Sequence, residues 1–230
     1  MPIPKDVMIE AMDVNKEYRR AGAIIRALVD INLTIKSGDF VVIQGPTGCG
    51  KSTLLNVLSG LDIPDSGKII FDGENIARAP EDRLSKIRRQ KIGFVFQEFN
   101  LIESLTAQEN VEALLWPTVL SNKEVENRAI AALRDVNMLE RKDHFPVEMS
   151  GGEKQRIGLA RAIIHRPRVL LADEPTGNLD PEAEKDVMDL LKDINKTQDT
   201  TVLVVTHREK LASYATMVVK MDRGQVISAK

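Results

Sequence analysis

The chain's 230 residues suit one compact domain or two joined lobes, and 43% hydrophobic with 29% charged content supports a large buried core. That balance excludes the disordered and collagen-like classes. Thirty-two basic against 34 acidic residues leave a net charge of -2, so nucleic acid or anionic lipid would have to meet a local patch.

The opening segment MPIPKDVMIEAMD is interrupted by Lys5, Asp6, Glu10 and Asp13 and has no apolar signal core. It predicts a chain that is neither secreted by that route nor self-inserting. Residues 8–20, 24–36 and 67–78 alternate in polarity and carry turn signals such as Asp72-Gly73, which predicts an antiparallel sheet. Asp39–Gln44 is apolar on both faces, as a strand at the centre of a parallel sheet would be, and Ile92–Phe96, Val169–Ala172 and Thr201–Val205 read the same way. The longest apolar runs, such as Val202–Val205, are strand-sized and far short of the roughly 18 to 20 residues of a membrane span. If the protein works at a membrane, another chain supplies the membrane part.

Between about Asn100 and Ser150 the pattern predicts helices without strands. Val125, Ala129, Ala132, Leu133 and Val136 recur at helical spacing within Lys123–Leu139. Further on, Asp180-Pro181 predicts a capped helix start, with Val187, Leu190, Leu191 and Ile194 facing the core. Strands alternating with helices predict an α/β fold with a parallel sheet. The expected division of the single domain 1–230 is an α/β core over 1–98 and 154–230, with an inserted helical lobe over 99–153.

The chemistry begins at Gly45-Pro46-Thr47-Gly48-Cys49-Gly50-Lys51-Ser52-Thr53, which follows a buried strand and opens a helix. That is the context a P-loop requires. Glycines let successive backbone N–H groups wrap a phosphate, and the helix N-terminus adds partial positive charge. Lys51 is placed to reach the β- and γ-phosphates, and Ser52 offers a hydroxyl to Mg²⁺. Cys49, the single cysteine, excludes an internal disulfide framework and a cysteine-based zinc site within one chain, and fits a reducing compartment. Lodged in the cradle, its thiol is expected to be reactive when the site is empty and shielded by nucleotide. Asp173 and Glu174 end an apolar strand, where ligands of open α/β sheets bind. Asp173 would hold Mg²⁺, directly or through water, and Glu174 would polarise the attacking water.

Upstream of that acidic pair lies Met149-Ser150-Gly151-Gly152-Glu153-Lys154-Gln155-Arg156. Ser150 is a good N-cap for a helix whose apolar face is Ile157, Ala160, Ile163 and Ile164, so this is a second anion-binding helix end. With this run the chain resembles the ABC transporter ATPase family, whose signature is Leu-Ser-Gly-Gly-Gln/Glu. The resemblance covers essentially the whole chain, with motifs in the family's order. The P-loop is followed by Gln97 as the Q-loop, then Ser150–Glu153, Asp173-Glu174, Gly177-Asn178-Leu179-Asp180 as the D-loop, and Val204-Val205-Thr206-His207 as the switch histidine.

That resemblance implies a RecA-like P-loop NTPase core with an added antiparallel β part, an inserted helical signature lobe, and ATP and Mg²⁺ as ligands. It implies that Lys51, Ser52 and Thr53 bind phosphates and Mg²⁺ with backbone help from Gly48 to Lys51. Gln97 would touch the metal and sense the γ-phosphate, Glu174 would be the general base, and His207 would contact the γ-phosphate. Tyr18 matches the aromatic that stacks on adenine. The family pattern is a head-to-tail homodimer around two nucleotides, with Ser150 and Gly152 acting on the partner's site and Gly151, Glu153 and Asp180 among the nucleotide-site residues. It also implies an integral-membrane permease partner, which would hold the subunit on the cytoplasmic face of the cell membrane, and no nucleic-acid partner.

Two departures stand out: Met149 replaces Leu, a volume-conserving change, and His207 is followed by Arg208-Glu209, where relatives often carry an acidic residue directly. The second touches the fine positioning of His207. Phe96–Leu101, Leu105–Val111 and Asp173–Asp180 resemble the lipoprotein-releasing, macrolide-exporting and cell-division type of this family. Within that type, a cell-division role that transmits motion without moving a substrate is the alternative to transport.

The remaining features read more plainly. Asn195-Lys196-Thr197-Gln198-Asp199 is one residue too long for a guanine-reading motif and is expected to be a solvated helix terminus. His144 and His165 lack partners at metal-ligand spacing and are expected to be surface or satisfied histidines. Lys86–Lys91 has no interleaved aromatic residue and reads as a solvated helix face. Trp116 reads as lobe packing, with a permease contact as its other use.

Overall fold

The computed structural model describes residues 6–20 and 22–230. The first half runs β1 (Val7–Arg20), β2 (Ala23–Lys36), β3 (Phe40–Gln44), α1 (Lys51–Leu58), β4 (Ser66–Phe71), β5 (Glu74–Asn75), α2 (Glu81–Lys91) and β6 (Ile92–Phe96). Then come α3 (Ala107–Glu112), α4 (Asn122–Asp135), α5 (Gly151–Ile163), β7 (Val169–Asp173), α6 (Pro181–Gln198), β8 (Thr201–Thr206), β9 (Met217–Asp222) and β10 (Gln225–Ala229).

The central sheet has the order β10-β9-β3-β8-β7-β6, with β9, β3, β8, β7 and β6 parallel and β10 antiparallel at one edge. Its apolar runs are continuous because both faces are covered. Phe40 and Val42 of β3 join one core with Ile157, Val187 and Leu191, while Val41 and Ile43 join another with Leu54, Leu58 and Phe71. The same alternation repeats in β7, where Leu170 and Ala172 face the first core and Val169 and Leu171 the second. Helices α5, α6 and the helical lobe cover one face; α1, α2 and the second sheet cover the other.

That second sheet is antiparallel, in the order β2-β1-β4-β5. Its long hairpin bends where Asp13 (φ 51°) and Asp30 (φ 48°) sit in the left-handed region, beside breaks in the β1–β2 register. Short polar side chains tolerate that conformation because they bond locally. Asn32 Oδ1 accepts from the Asp13 N–H at 3.0 Å and Asn15 Oδ1 accepts from the Asp30 N–H at 3.0 Å, so each bulge is clasped from the opposite strand.

Several expectations change in detail. Within 67–78 the Asp72-Gly73 signal is a turn, where Asp72 (φ 47°) and Gly73 (φ 80°) lead β4 back into the short antiparallel β5. The hairpin β9–β10 was not anticipated; Arg223 (φ 44°) and Gly224 (φ 80°) make its two-residue turn. Helix α4 ends at Asp135 rather than near Leu139, because Asn137 adopts φ 57° and breaks the helical path. Helix α5 runs unbroken through Glu153 and Lys154, so the expected lobe boundary falls inside it. Trp116 is 54% exposed, which corrects its reading as lobe packing. Lys86 and Arg89 are exposed as expected, whereas Arg88 donates to Gly60 O at 2.6 Å and Lys91 to Asp72 at 2.6 Å. His165 is satisfied on one nitrogen, with Nε2 3.1 Å from Ile92 O.

Asn195 is the clearest correction. It is buried, not solvated, and its Nδ2 donates to Thr200 O at 2.8 Å, Gly38 O at 2.9 Å and Asp39 O at 3.4 Å. One amide thus ties the end of α6 to the turns that precede β3 and β8. Asp39 O keeps the Val202 N–H at 2.9 Å, but leaving the Gly38 and Thr200 carbonyls unpaired costs about 1–3 kcal/mol. At roughly 2–4 °C per kcal/mol for a chain of this size, Asn195→Ala should lower the melting temperature by about 2–12 °C. Asn195→Asp, which turns an acceptor toward three carbonyl oxygens, should lower it further in the same calorimetric comparison.

Candidate functional site

The loop between β3 and α1 can adopt its shape only with glycine at two tight points. A Cβ at Gly50 (φ 104°) would lie 2.3 Å from Ala27 O, and one at Gly45 would lie 2.3 Å from Met221 O. The loop closes over Lys51, which is buried and donates from Nζ to Gly45 O at 2.8 Å and to Pro46 O at 3.0 Å. The first N–H groups of α1 have no partner within the helix, and the helix start carries about half a positive charge. Loop and helix therefore present an ammonium and a row of N–H donors to one concave surface.

That surface is a cleft of about 740 Å³ lined by Tyr18, Thr47, Gly48, Gly50, Lys51, Ser52, Thr53, Gln97, Asp173, Glu174 and His207, among others. Its volume suits a nucleotide-sized ligand. Parallel register brings these residues together: Phe96 pairs with Asp173, Asp173 with Val205, and Gln44 with Thr206, so four strands end at one level.

Asp173 is poised for a hard cation. Burial pushes its carboxyl above the usual carboxylate range and the Glu174 charge adds to that, against the Ser52 hydroxyl and Lys51. Its Oδ1 is buried with no hydrogen-bond partner, a polar atom that calls for a ligand. A carboxylate, the Ser52 hydroxyl and the Gln97 amide are the all-oxygen donor set that Mg²⁺ selects. Glu174 adopts φ 48°, held by its N–H to Val205 O at 3.0 Å, and its Oε1 lies 3.0 Å from His207 Nδ1. A bulky residue in that backbone region is strained, and such strain gathers at functional sites.

Two side chains reach the cleft by partners the sequence did not disclose. The Tyr18 hydroxyl donates to Asp62 at 2.6 Å, and Asp62 also accepts from Lys16 Nζ at 2.6 Å, which stands 5.2 Å from the Tyr18 ring centre. Gln97 Nε2 donates to Asn178 Oδ1 at 3.1 Å, and Asn178 Nδ2 returns a bond to Gln97 O at 3.3 Å. Buried Gln155 joins the same region, donating to Phe96 O at 3.2 Å and Pro175 O at 2.7 Å. A glutamine on the core side of α5 was the one sequence signal for it.

Other expected residues stand apart. Ser150–Glu153 do not line this cleft; they form the N-terminal capping box of α5, with Ser150 Oγ accepting from Glu153 N at 3.3 Å and Glu153 Oε2 accepting from Ser150 N at 2.8 Å. The Ser150 N–H is the main reason the Glu153 carboxyl sits below its usual range. Asp180 caps α6, its Oδ1 accepting from Glu182 N at 3.0 Å and Ala183 N at 2.9 Å. Cys49 is corrected: its side chain is 5% exposed and packs in the core beneath the loop rather than in the cradle.

A strand-loop-helix phosphate cradle, an acidic pair two strands away and a histidine at the end of the strand between them define a nucleotide-hydrolysing P-loop protein. The ABC transporter family model matches residues 28–177. The chain is 44% identical over 223 residues to the uncharacterised ABC transporter ATP-binding protein MJ0796 of Methanocaldococcus jannaschii, over 95% of each chain. A solved dimeric structure of that protein superposes with a TM-score of 0.89 at 41% identity, covering 97% of this chain and 98% of the other. Another of its dimeric structures is described as a post-hydrolysis state bound to ADP and Pi, with a TM-score of 0.89 and 40% identity over 97% and 98% of the two chains. The chain is also 41% identical over 221 residues to the macrolide export ATP-binding/permease protein MacB of Brucella abortus, covering 96% of this chain and 34% of that protein. The chain belongs to the ABC transporter ATP-binding family and is an ATPase.

The burial of Cys49 sets a test. A thiol-alkylating reagent should modify the native protein far more slowly than the urea-unfolded one, and Mg-ATP should add little protection, as read by mass spectrometry. Rapid native labelling that ATP abolishes would put the thiol back in the cradle.

Proposed function

We propose that this chain is the ATPase subunit of a transporter and drives a separate integral-membrane permease of the lipoprotein-release and macrolide-export type. In this reading two copies close head-to-tail around two ATP molecules. The observation that carries it is the split site. The P-loop, Asp173, Glu174 and His207 share one cleft, while the second anion-binding helix end, at Ser150–Gly152, lies outside it. A second copy turned end for end would lay that helix end over the exposed face of the bound phosphates. The dimeric structures of the related MJ0796 protein support this arrangement, and the similarity to the macrolide export ATP-binding/permease protein MacB supports the partner. No helix among the described residues is long and apolar enough to cross a membrane. The subunit would thus be held at the cytoplasmic face by its permease.

Each group then has a task. The loop N–H groups and Lys51 bind the β- and γ-phosphates, and Tyr18, oriented by Asp62, stacks on adenine. Asp173, Ser52 and Gln97 are the residues that would hold Mg²⁺. Bound there, Mg²⁺ would supply charge neutralisation at the β- and γ-phosphate oxygens. Glu174 takes the proton from the water that attacks the γ-phosphorus as the bond to ADP breaks, and His207 contacts the γ-phosphate. The Gln97–Asn178 pair links this site to the D-loop, and the chain after Gln97 leads into the lobe that would meet the permease.

Glu174→Gln keeps size and one acceptor but cannot take the proton, so the rate should fall by about 10²–10⁴, roughly 3–5 kcal/mol of barrier. ATP binding should survive, and the variant should elute as an ATP-dependent dimer in size-exclusion chromatography. Adding Ser150→Arg should abolish that dimer while binding to each single chain persists. Wild-type turnover by Glu174→Gln would overturn its role as base, and a chain that stays monomeric with ATP would overturn the sandwich.

A further inference from the structure

Glu184 is a carboxylate in the first turn of α6, outside the cleft and only 3% exposed. Acidic side chains are almost never this buried unless paired. Its Oε1 takes Lys210 Nζ at 2.5 Å, and its Oε2 takes Arg208 Nη1 in a close ion pair and the Thr176 hydroxyl at 3.3 Å. Burial works to raise its pKa, yet Lys210 and Arg208 prevail and hold it below the usual carboxylate range. The group is therefore an anion under working conditions.

What it holds is telling. Thr176 lies two residues after Glu174, and Arg208 directly follows His207. The two segments that carry the Glu174–His207 pair are thus fastened to one buried anion. Arg208 adds a bond from Nη2 to Gly177 O at 3.4 Å, bracing the same turn. The backbone of the histidine segment is also supported, by Arg208 N to Thr206 Oγ1 at 3.0 Å and by Gln44 Nε2 to Arg208 O at 3.2 Å.

Both members of the pair need such restraint. Glu174 is in a left-handed backbone conformation, and the His207 side chain is 55% exposed. Stability alone is a poor reason for the arrangement, because a buried ion pair often contributes no more than well-packed apolar residues of the same volume. Arg208, the residue that follows His207, supplies one of the cations that this buried anion requires.

We propose that Glu184 is a positioning residue for ATP hydrolysis, fixing the separation and orientation of Glu174 and His207 through Thr176 and Arg208. The inference rests on the roles given to Glu174 and His207 under the proposed function, and its test separates the two.

The experiment is a double-mutant cycle on the full chain with Glu184→Gln, His207→Ala and both together. ATP-binding stoichiometry and melting temperature are measured beside single-turnover rates. Glu184→Gln keeps the side chain's shape and removes its charge. It should lower kcat about tenfold while KM for ATP stays within about twofold, with full binding stoichiometry. In the His207→Ala background the same substitution should cost clearly less than tenfold, because only the Glu174 side of the pair is left to position. An unchanged kcat in Glu184→Gln would overturn the proposal. So would a fall in binding stoichiometry that matches the fall in rate, or a full tenfold loss that persists without His207. Wild-type hydrolysis by His207→Ala would instead overturn the reading of His207, and with it the route by which Glu184 acts.

Discussion

Everything in this protein depends on a six-stranded sheet whose central strands are buried on both faces. Such a sheet has no solvated face on which to place polar chemistry, so reactive groups must sit where strands end. Here the ends coincide, because in-register parallel pairing aligns β3, β8, β7 and β6. Gly45, Gln97, Glu174 and His207 each follow one of these strands by a single residue. A slip of one residue in any of them would exchange its two core faces as well as displace the residue that follows it. Packing and chemistry are therefore enforced by the same contacts.

The crevice at these strand ends is also where open α/β sheets bind ligands, and the reason is electrostatic as much as steric. Helix α1 begins there with unpaired N–H groups, and Lys51 adds a full positive charge. Against them stand two carboxylates whose surroundings differ. Asp173 is buried with an unpartnered oxygen, whereas Glu174 is paired with a histidine. Two acids adjacent in the chain thereby have unlike surroundings, one with an open oxygen and one engaged by a histidine.

Side-chain amides bond the rim of the cleft to its surroundings. Gln97 is bonded to Asn178, and Gln155 reaches from α5 to the end of β6 and to the turn after Glu174. The D-loop and the first turns of α5 are thus both bonded to the rim of the cleft. Removing Gln155 would leave buried carbonyls unpaired, so this link cannot be loosened without cost. The helical lobe is consequently tied to the site by directed bonds as well as by its apolar face.

The sequence by itself determined whatever depends on local pattern: the two-face apolar strands, the phosphate loop, the caps at Ser150 and Asp180, and the order of motifs that identified the family. These are legible because the residues that interact are neighbours in the chain or repeat with the period of one element. Tertiary structure decided what depends on distant partners. Asn195 is a buried clamp because Gly38, far upstream, folds against it, and Tyr18 is oriented by Asp62 of the loop between α1 and β4. Cys49 leaves the cradle because the loop turns its side chain toward the core. Glu184 looks like one more acid on a charged helix until Thr176, Arg208 and Lys210 converge on it. Hydrogen bonds and ion pairs act over a few ångströms of space, and only the folded chain says which residues share that space.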